Sequence, residues 1–120
     1  NHRDGWGGPS WNHVDHRVVG RCLLDAARDA ANPWVFTDLD LEPWDGVRWA
    51  AFGGSPEPTH GVDVGDFLDR GIESLAAHSV YLEHLGGDMA DPGTFLRRNA
   101  KSAGHRLGVE YAATFELFYL

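Results

Sequence analysis

The sequence is short of the features that mark several classes of protein. Its 120 residues include one cysteine, Cys22, so no internal disulfide can form. Acidic residues outnumber Lys and Arg by 18 to 10, which gives a formal net charge of −8. Because basic surfaces are needed to bind phosphate-rich partners, this balance argues against a nucleic acid or an anionic membrane as partner. No apolar run approaches the roughly 20 residues that cross a bilayer, so we expect no membrane span.

What the sequence does contain is enough apolar material for a core. Hydrophobic residues make up 42% of the chain, and it has five tryptophans. The length corresponds to one domain or to part of a larger one. Cys22 falls among the apolar residues of a predicted helix, so we expect a small core residue rather than a nucleophile. The composition therefore predicts a globular protein of a reducing compartment, the cytoplasm.

The first predicted helix follows a glycine-rich loop. Asn12 and Asp15 are both good N-cap residues, so the helix is expected to begin near one of them. Asn32 and Pro33 are expected to end it. Its apolar residues recur at the paired three- and four-residue spacing that indicates one buried face. The residues of this face are Val18, Val19, Cys22, Leu23, Ala26, Ala27 and Ala30.

Two more helices are predicted in the second half of the chain. One begins at Asp66, carries apolar residues at helical steps and ends at the glycine pair Gly86–Gly87. The other begins at Asp91, an N-cap residue followed by Pro92 in the first helical position, and is expected to end at Gly104.

Four strands are predicted, at residues 34–39, 47–52, 59–64 and 108–120. The last of them alternates between apolar and polar residues, with Glu116 on its polar face. Strands that alternate with helices indicate an α/β fold, and we expect a mostly parallel sheet flanked by helices. Because these elements are too few to cover both faces of such a sheet, we expect the chain to be the C-terminal part of a larger domain.

Two histidines and a carboxylate share one turn at the start of the first helix. His13 and His16 lie three residues apart, which places their Cβ atoms roughly 5–6 Å apart on one side of a helix. The positive end of the helix dipole favours neutral imidazole, the form that binds a metal, and Asp15 can orient one ring. A catalytic zinc needs three protein ligands, however, and the other histidines are scattered singly. Capping or surface roles for the pair therefore stay open.

The segment "GGPSWNHVDHRVVG" resembles the second metal motif of the LmbE-like, or PIG-L, N-acetylglucosamine deacetylases, in which a His-x-Asp-His segment precedes a helix. Further segments resemble the same family in order along almost the whole chain, namely "NPWVFTDLDLEPW", "THGVDV", "FLDRGIESLAAHSVYLEHLG" and "GVEYAATFELFYL". In one of them the family commonly reads His-x-Ser-Gln. Here His78 is followed by Ser79, Val80 and Tyr81, which is a departure from that pattern.

The resemblance implies a Rossmann-like fold and a zinc-dependent hydrolase that removes the acetyl group from an N-acetylglucosamine-type amino sugar. It implies that His16 is a zinc ligand, that His13 stabilises the oxyanion or acts as the acid, and that Asp15 tunes His13. The family's first motif, His-Pro-Asp-Asp-Glu, supplies two zinc ligands and the general base, and it is absent from these residues. We therefore expect residues 1–120 to be the C-terminal half of one domain, with the base and the other ligands on an N-terminal half.

Several further residues have two interpretations each. Trp6 and Trp11 stack against a sugar face or anchor their loop to a core. His60 lines the cleft or faces solvent. His78 falls on the apolar side of its predicted helix, so we expect a hydrogen-bonded core histidine rather than a ligand.

Two other functions are compatible with the same residues. A non-catalytic module would bind a glycan or a partner protein. A different metal-dependent hydrolase would take its remaining ligands from a partner chain.

Overall fold

The computed structural model describes all 120 residues, Asn1–Leu120. Two short 3₁₀ turns occupy Gly65–Phe67 and Gly87–Ala90. The helices and strands are α1 (Val14–Asp29), β1 (Trp49–Gly53), β2 (His60–Asp63), α2 (Leu68–Ala76), α3 (Ser79–Glu83), α4 (Pro92–Leu107) and β3 (Ala112–Tyr119). None of the helices combines the length and the hydropathy needed to cross a membrane.

The chain divides into two compact units. The first unit comprises Asn1–His60 and Phe115–Leu120, and the second unit comprises Gly61–Thr114. The first unit therefore holds α1, β1 and the end of β3, and the second unit holds the other helices.

The three strands form one sheet in the order β1–β3–β2. β1 and β3 run antiparallel, with Trp49 opposite Tyr119 and Gly53 opposite Phe115. A mixed α/β fold is confirmed, but the parallel pairing that we predicted is not found in these strands. An alternation of apolar and polar residues identifies a strand and carries no information about the direction of its neighbour, so the sequence pattern left the pairing open.

α1 begins between the two residues predicted to cap it. The N-cap is His13, whose ring accepts a hydrogen bond from the backbone N–H of Asp15. Asn12 does not cap the helix because its carboxamide is used in other hydrogen bonds, described below. The helix ends at Asp29 with Ala30 as C-cap, shortly before the predicted stop at Asn32.

The predicted buried face of α1 is exposed to solvent. Val18, Val19 and Leu23 are each about half or more exposed, and the thiol of Cys22 is exposed as well. The side of α1 that packs instead carries Gly20, where an added Cβ would lie 2.6 Å from the Cβ of His2. The N-terminal loop approaches the helix closely at this glycine, and this approach determines which side of the helix is covered. The pattern of apolar residues alone does not determine it.

The strand predicted at 34–39 is not formed. Phe36 has a positive φ of 53°, and the N–H of Leu39 donates to its carbonyl oxygen across a tight turn. The N–H of Trp44 donates to the carbonyl oxygen of Ala30 at 2.7 Å, so residues 30–44 form a closed loop at the end of α1. The hydrophobic residues between Pro33 and Trp44 are typical of a strand, but the left-handed backbone of Phe36 is incompatible with one.

The helix predicted from Asp66 is interrupted in the second unit. α2 and α3 are separated by Ala77 and His78, and His78 has a non-helical backbone with φ −86° and ψ 49°. Its ring Nδ1 lies 3.0 Å from the carbonyl oxygen of Ser74. The side chain is hydrogen-bonded as expected, but it is exposed, so the prediction of a core position is wrong. The core position was predicted from helical spacing, and that spacing does not extend through the break at His78.

α4 begins as predicted. The carboxylate of Asp91 accepts hydrogen bonds from the backbone N–H groups of Gly93 and Thr94, and Pro92 occupies the first helical position. The hydroxyl of Thr94 also donates to Asp91, and these bonds hold the pKa of the carboxyl below its usual range. A proline is tolerated here because the first N–H groups of a helix have no partner within it.

α4 continues past its predicted end. It runs three residues beyond Gly104 to Leu107 and ends at Gly108, whose φ of 79° is left-handed. Gly104 is buried inside the helix, where an added Cβ would lie 2.6 Å from the carbonyl oxygen of Glu110. Gly104 therefore permits close packing, and Gly108 terminates the helix.

Candidate metal and catalytic site

The glycine-rich loop before α1 is a compact turn that holds two tryptophans. Gly5 and Trp11 form an antiparallel bridge, and the N–H of Trp6 donates to the carbonyl of Ser10 at 3.0 Å. The pair Gly7–Gly8 turns the chain with positive φ values of 96° and 59°. The loop thus brings the aromatic residues next to the start of α1.

Asn12 is the most deeply buried side chain at this site. Its residue is fully buried, and its carboxamide nitrogen donates to the carbonyl oxygens of Asn1, at 3.0 Å, and Arg3, at 2.9 Å. Its carboxamide oxygen lies 2.9 Å from Nδ1 of His16. Every hydrogen-bonding atom of this amide is therefore matched, as a buried amide requires.

The bonds of Asn12 assign the tautomer of His16. Because the amide nitrogen is used for two donations, the atom facing the imidazole is an acceptor, and Nδ1 of His16 must carry the proton. In the neutral ring the other nitrogen, Nε2, then has a free lone pair, which is the state of a metal-binding histidine. The ring of Trp6 lies edge-on, with the two centroids 5.9 Å apart.

His13 and Asp15 lie beside this ring in a different arrangement. Nδ1 of His13 accepts from the backbone N–H of Asp15 at 3.2 Å, so in the neutral ring the proton is on Nε2. Nδ1 also lies 3.5 Å from the Asp15 carboxylate, which forms an ion pair when His13 is protonated. The ring centroids of His13 and His16 are 6.1 Å apart. The structure thus brings His13, Asp15, His16 and Trp6 together.

Trp11 and His60 have other neighbours. Trp11 is 70% exposed, and the guanidinium of Arg17 lies 5.2 Å from its ring centroid. Arg17 also pairs with the carboxylate of Asp4 at 3.2 Å. His60, at the start of β2, is exposed, and its Nδ1 lies 2.9 Å from the Thr59 hydroxyl. Neither residue forms a hydrogen bond with the histidine pair.

The residues present fit one part of a zinc site. The Nε2 atom of His16 is a suitable ligand, with its Nδ1–H held by a buried partner. Nowhere in the chain does the structure bring together three His, Cys, Asp or Glu side chains that could hold a metal. These residues would therefore supply one of the three protein ligands that a catalytic zinc takes.

An ion pair with a buried carboxylate, which the sequence did not predict, anchors the N-terminal loop. Glu116, expected on the polar face of its strand, is only 4% exposed. It accepts hydrogen bonds from the Arg3 guanidinium, through Nε at 3.1 Å and through Nη2, and from the Ser55 hydroxyl at 2.6 Å. These bonds, with that from Arg3 the largest cause, hold the pKa of Glu116 below its usual range.

His2 lies behind α1 between two aromatic rings. Its ring centroid is 4.7 Å from that of Phe52 and 5.2 Å from that of Phe118. Its Nδ1 is buried without a hydrogen-bond partner. Burial, which disfavours the charged form, lowers the pKa of His2 from its ordinary value. His2 and Arg3 therefore attach the start of the N-terminal loop to residues of β1 and β3.

Comparison with known proteins places the fold in a class. No family model matches the chain, and none of the curated proteins matches it. Among solved structures the chain has the fold of part of a deacetylase. That structure is N,N′-diacetylchitobiose deacetylase from Pyrococcus horikoshii in complex with its inhibitor MPG, and the TM-score is 0.71 at 24% sequence identity. The match covers 98% of this chain and 46% of that one, so the chain spans less than half of the solved protein.

Proposed function

We propose that this chain carries part of the active site of a zinc-dependent N-deacetylase. The observation that carries the proposal is the fixed ring of His16, whose Nδ1 is held by the buried amide of Asn12 so that Nε2 keeps its lone pair. The likeness of the fold to a solved deacetylase and the resemblance of the His13–His16 segment to the LmbE-like motif support it.

In this proposal His16 is one zinc ligand. Bound zinc lowers the pKa of a water molecule and polarises an amide carbonyl, which is the chemistry that amide hydrolysis needs. The general base and the other ligands come from an N-terminal half of the domain. Support for such a half is that the matched deacetylase chain is more than twice as long as the region in common.

His13 is assigned to the oxyanion and the leaving amine. When His13 is protonated, its Nδ1 exchanges the bond from the Asp15 N–H for a pairing with the Asp15 carboxylate, 3.5 Å away, and its Nε2–H stays free to donate. A donor fixed in this way stabilises negative charge on the carbonyl oxygen and can pass a proton to the departing nitrogen. Asp15 acts through His13 and positions it.

The proposed substrate is an N-acetylated amino sugar in conjugated form. Trp6, beside His16, offers an aromatic surface on which the apolar face of a sugar can stack. Trp11 and His60 are proposed as further substrate contacts, with Arg17 covering one face of the Trp11 ring. An acidic chain with one cysteine is consistent with a cytoplasmic enzyme.

Two substitutions separate the roles of the histidines in the protein purified at the full length that its gene encodes. His16→Ala is expected to lose bound zinc and acetate release from N,N′-diacetylchitobiose together. His13→Ala is expected to keep zinc while turnover falls by a factor on the order of 100 or more, since one stabilising donor is removed. His84→Ala, which changes the exposed histidine at the C-cap of α3, serves as the matched control and should change neither. Full turnover of His13→Ala, or full zinc content of His16→Ala, would contradict the assignment.

A glycan-binding module without catalysis is the second candidate. It is favoured by the absence of any three-ligand cluster within residues 1–120. If this candidate is right, the full-length protein binds N,N′-diacetylchitobiose with a change in tryptophan fluorescence and releases no acetate, with or without added zinc.

A further inference from the structure

The amide of Asn12 has one orientation that satisfies its neighbours. Its nitrogen donates to the backbone carbonyl oxygens of Asn1 and Arg3, at 3.0 and 2.9 Å. If the amide were turned over, its oxygen would face these two acceptors and both hydrogen bonds would be lost. Because Asn12 is fully buried, solvent would not replace them. The two carbonyls therefore determine that the amide oxygen faces Nδ1 of His16.

The side chain of Arg3 fixes the position of one of these carbonyls. Its guanidinium donates to the carboxylate of Glu116 on β3 through two nitrogens, Nε at 3.1 Å and Nη2. Glu116 is only 4% exposed, and the Ser55 hydroxyl donates to the same carboxylate at 2.6 Å. Because a guanidinium that donates through two nitrogens is restricted in direction as well as in distance, the backbone of Arg3 is attached firmly to this strand.

The other ionic contacts of the N-terminal loop are more exposed to solvent. Asp4 pairs with Arg17 at 3.2 Å, but its side chain is 53% exposed. The Arg3 guanidinium also lies 2.7 Å from the carboxylate of Glu57, which is 63% exposed. Exposed ion pairs contribute little because water and salt screen them. Glu116 is therefore the charged partner that holds the loop most firmly.

We propose that the Arg3–Glu116 pair positions His16 for metal binding, although neither residue forms a hydrogen bond with its ring. The pair holds the carbonyl of Arg3, the carbonyl sets the orientation of the Asn12 amide, and the amide keeps the proton of the neutral ring on Nδ1. Without the pair the carbonyl can move and the amide can turn over, so that its nitrogen donates to Nδ1. By exchange with water the ring proton then lies on Nε2, which has no lone pair left to bind a metal.

The proposal rests on the proposed function only where it concerns zinc, and its first test needs no zinc. The ¹⁵N shifts of the two ring nitrogens of His16 show which of them carries the proton. They are measured on the full-length protein after removal of metal with EDTA, at about pH 8, where an ordinary imidazole is neutral. In the unaltered protein we expect the proton on Nδ1 alone. A pair that only stabilised the fold would not influence this tautomer.

The double substitution Arg3→Met/Glu116→Met removes the pair without leaving a buried charge alone, so the fold is expected to be kept. We expect a second set of His16 resonances with the proton on Nε2. The Kd for zinc, measured by competition with a chelating dye, is expected to rise about tenfold or more, as is usual when a partner behind a metal ligand is lost. Glu116→Gln keeps an acceptor for the guanidinium and should change both readouts in the same direction by less. An unchanged tautomer in the double variant would overturn the proposal.

Glu57→Gln is the matched control, because it removes the exposed carboxylate that pairs with the same guanidinium. It is expected to leave the His16 tautomer and the Kd for zinc unchanged. An effect as large as that of the double variant would show that any charge near Arg3 controls the ring, and it would also overturn the proposal.

The two readouts separate this proposal from the proposed function. If the unaltered protein binds no zinc through His16, the proposed function fails, and the tautomers of the variants still decide the role of the pair. If zinc binds through His16 and the tautomer is the same in the double variant, the proposed function stands and the positioning role of Arg3 and Glu116 fails.

Discussion

At the scale of single residues, three polar side chains of the first unit occupy places that their polarity does not predict. Asn12 is fully buried because its amide joins two backbone carbonyls and the ring of His16. Glu116 is buried because Arg3 and Ser55 satisfy its carboxylate. His2 lies between aromatic rings, and its pKa is lowered by burial. Each of them fixes the loop that carries the candidate site.

The Arg3–Glu116 pair should make stability depend on acid in a defined range. The folded protein lowers the pKa of Glu116 below its ordinary value of 4.5, so the pair stabilises the fold above that pH and the contribution is lost as the pH falls further. The lowered pKa of His2 also reduces stability on acidification, but it does so from about pH 6.5 downwards. The two ranges can be distinguished in urea unfolding curves.

With Glu116→Gln, the free energy of unfolding is therefore expected to depend less on pH below 4.5. The decrease that begins near pH 6.5, which comes from His2, is expected to remain. At neutral pH it should lower the free energy of unfolding by about 1–2 kcal/mol. This is less than for a fully buried pair, because a third of the Arg3 side chain is exposed. Glu110→Gln, at an exposed position, is the control and should change little. An unchanged pH profile of Glu116→Gln would show that the pair contributes no stability.

Local spacing explains how much of the candidate site the sequence predicts. His13, Asp15 and His16 meet because they lie within one helical turn, so the predicted convergence of these three is found. Asn12 and His16 lie four residues apart, so helical spacing could have predicted the hydrogen bond between them. The sequence analysis instead treats Asn12 as a candidate helix cap. The pairing of Arg3 with Glu116 spans 113 residues and has no local signal.

At the scale of the elements, capping chemistry was predictive and hydropathy was less so. Asp91 and Pro92 begin α4 as expected, because an N-cap and a proline act through local backbone groups. The hydropathy of residues 34–39 indicated a strand, but the left-handed Phe36 lies in a loop. The prediction of which side of α1 is covered was also wrong, because that side is set by the neighbour that approaches the helix at Gly20.

Gly104 provides a test of packing within the second unit. Gly104→Ala would place a Cβ 2.6 Å from the carbonyl oxygen of Glu110 and 2.7 Å from that of Val109, both rigid backbone atoms. We expect the free energy of unfolding to fall by about 1–3 kcal/mol, even though alanine favours a helix. Gly86→Ala is the control, because an added Cβ there meets nothing within 4 Å. Thermal unfolding of both variants gives the comparison, and an equal response of the two would rule out the steric account.

At the scale of the whole molecule, the chain has the fold of part of a deacetylase and a small core. The matched region is less than half of the solved protein, and most large apolar side chains here are exposed. At the candidate site Asn12 holds Nδ1 of His16, and no group of three side chains that could hold a metal is found in the chain. In the proposed function the other zinc ligands come from the rest of the matched fold.

The most direct test of this account is a zinc titration of the full-length protein followed by ¹H–¹⁵N spectra of its histidine side chains. We expect zinc to shift the Nε2 resonance of His16 and to leave its Nδ1 protonated, because Nδ1–H is held by Asn12. A His16 ring that does not respond to zinc, or one that binds it through Nδ1, would contradict the central claim.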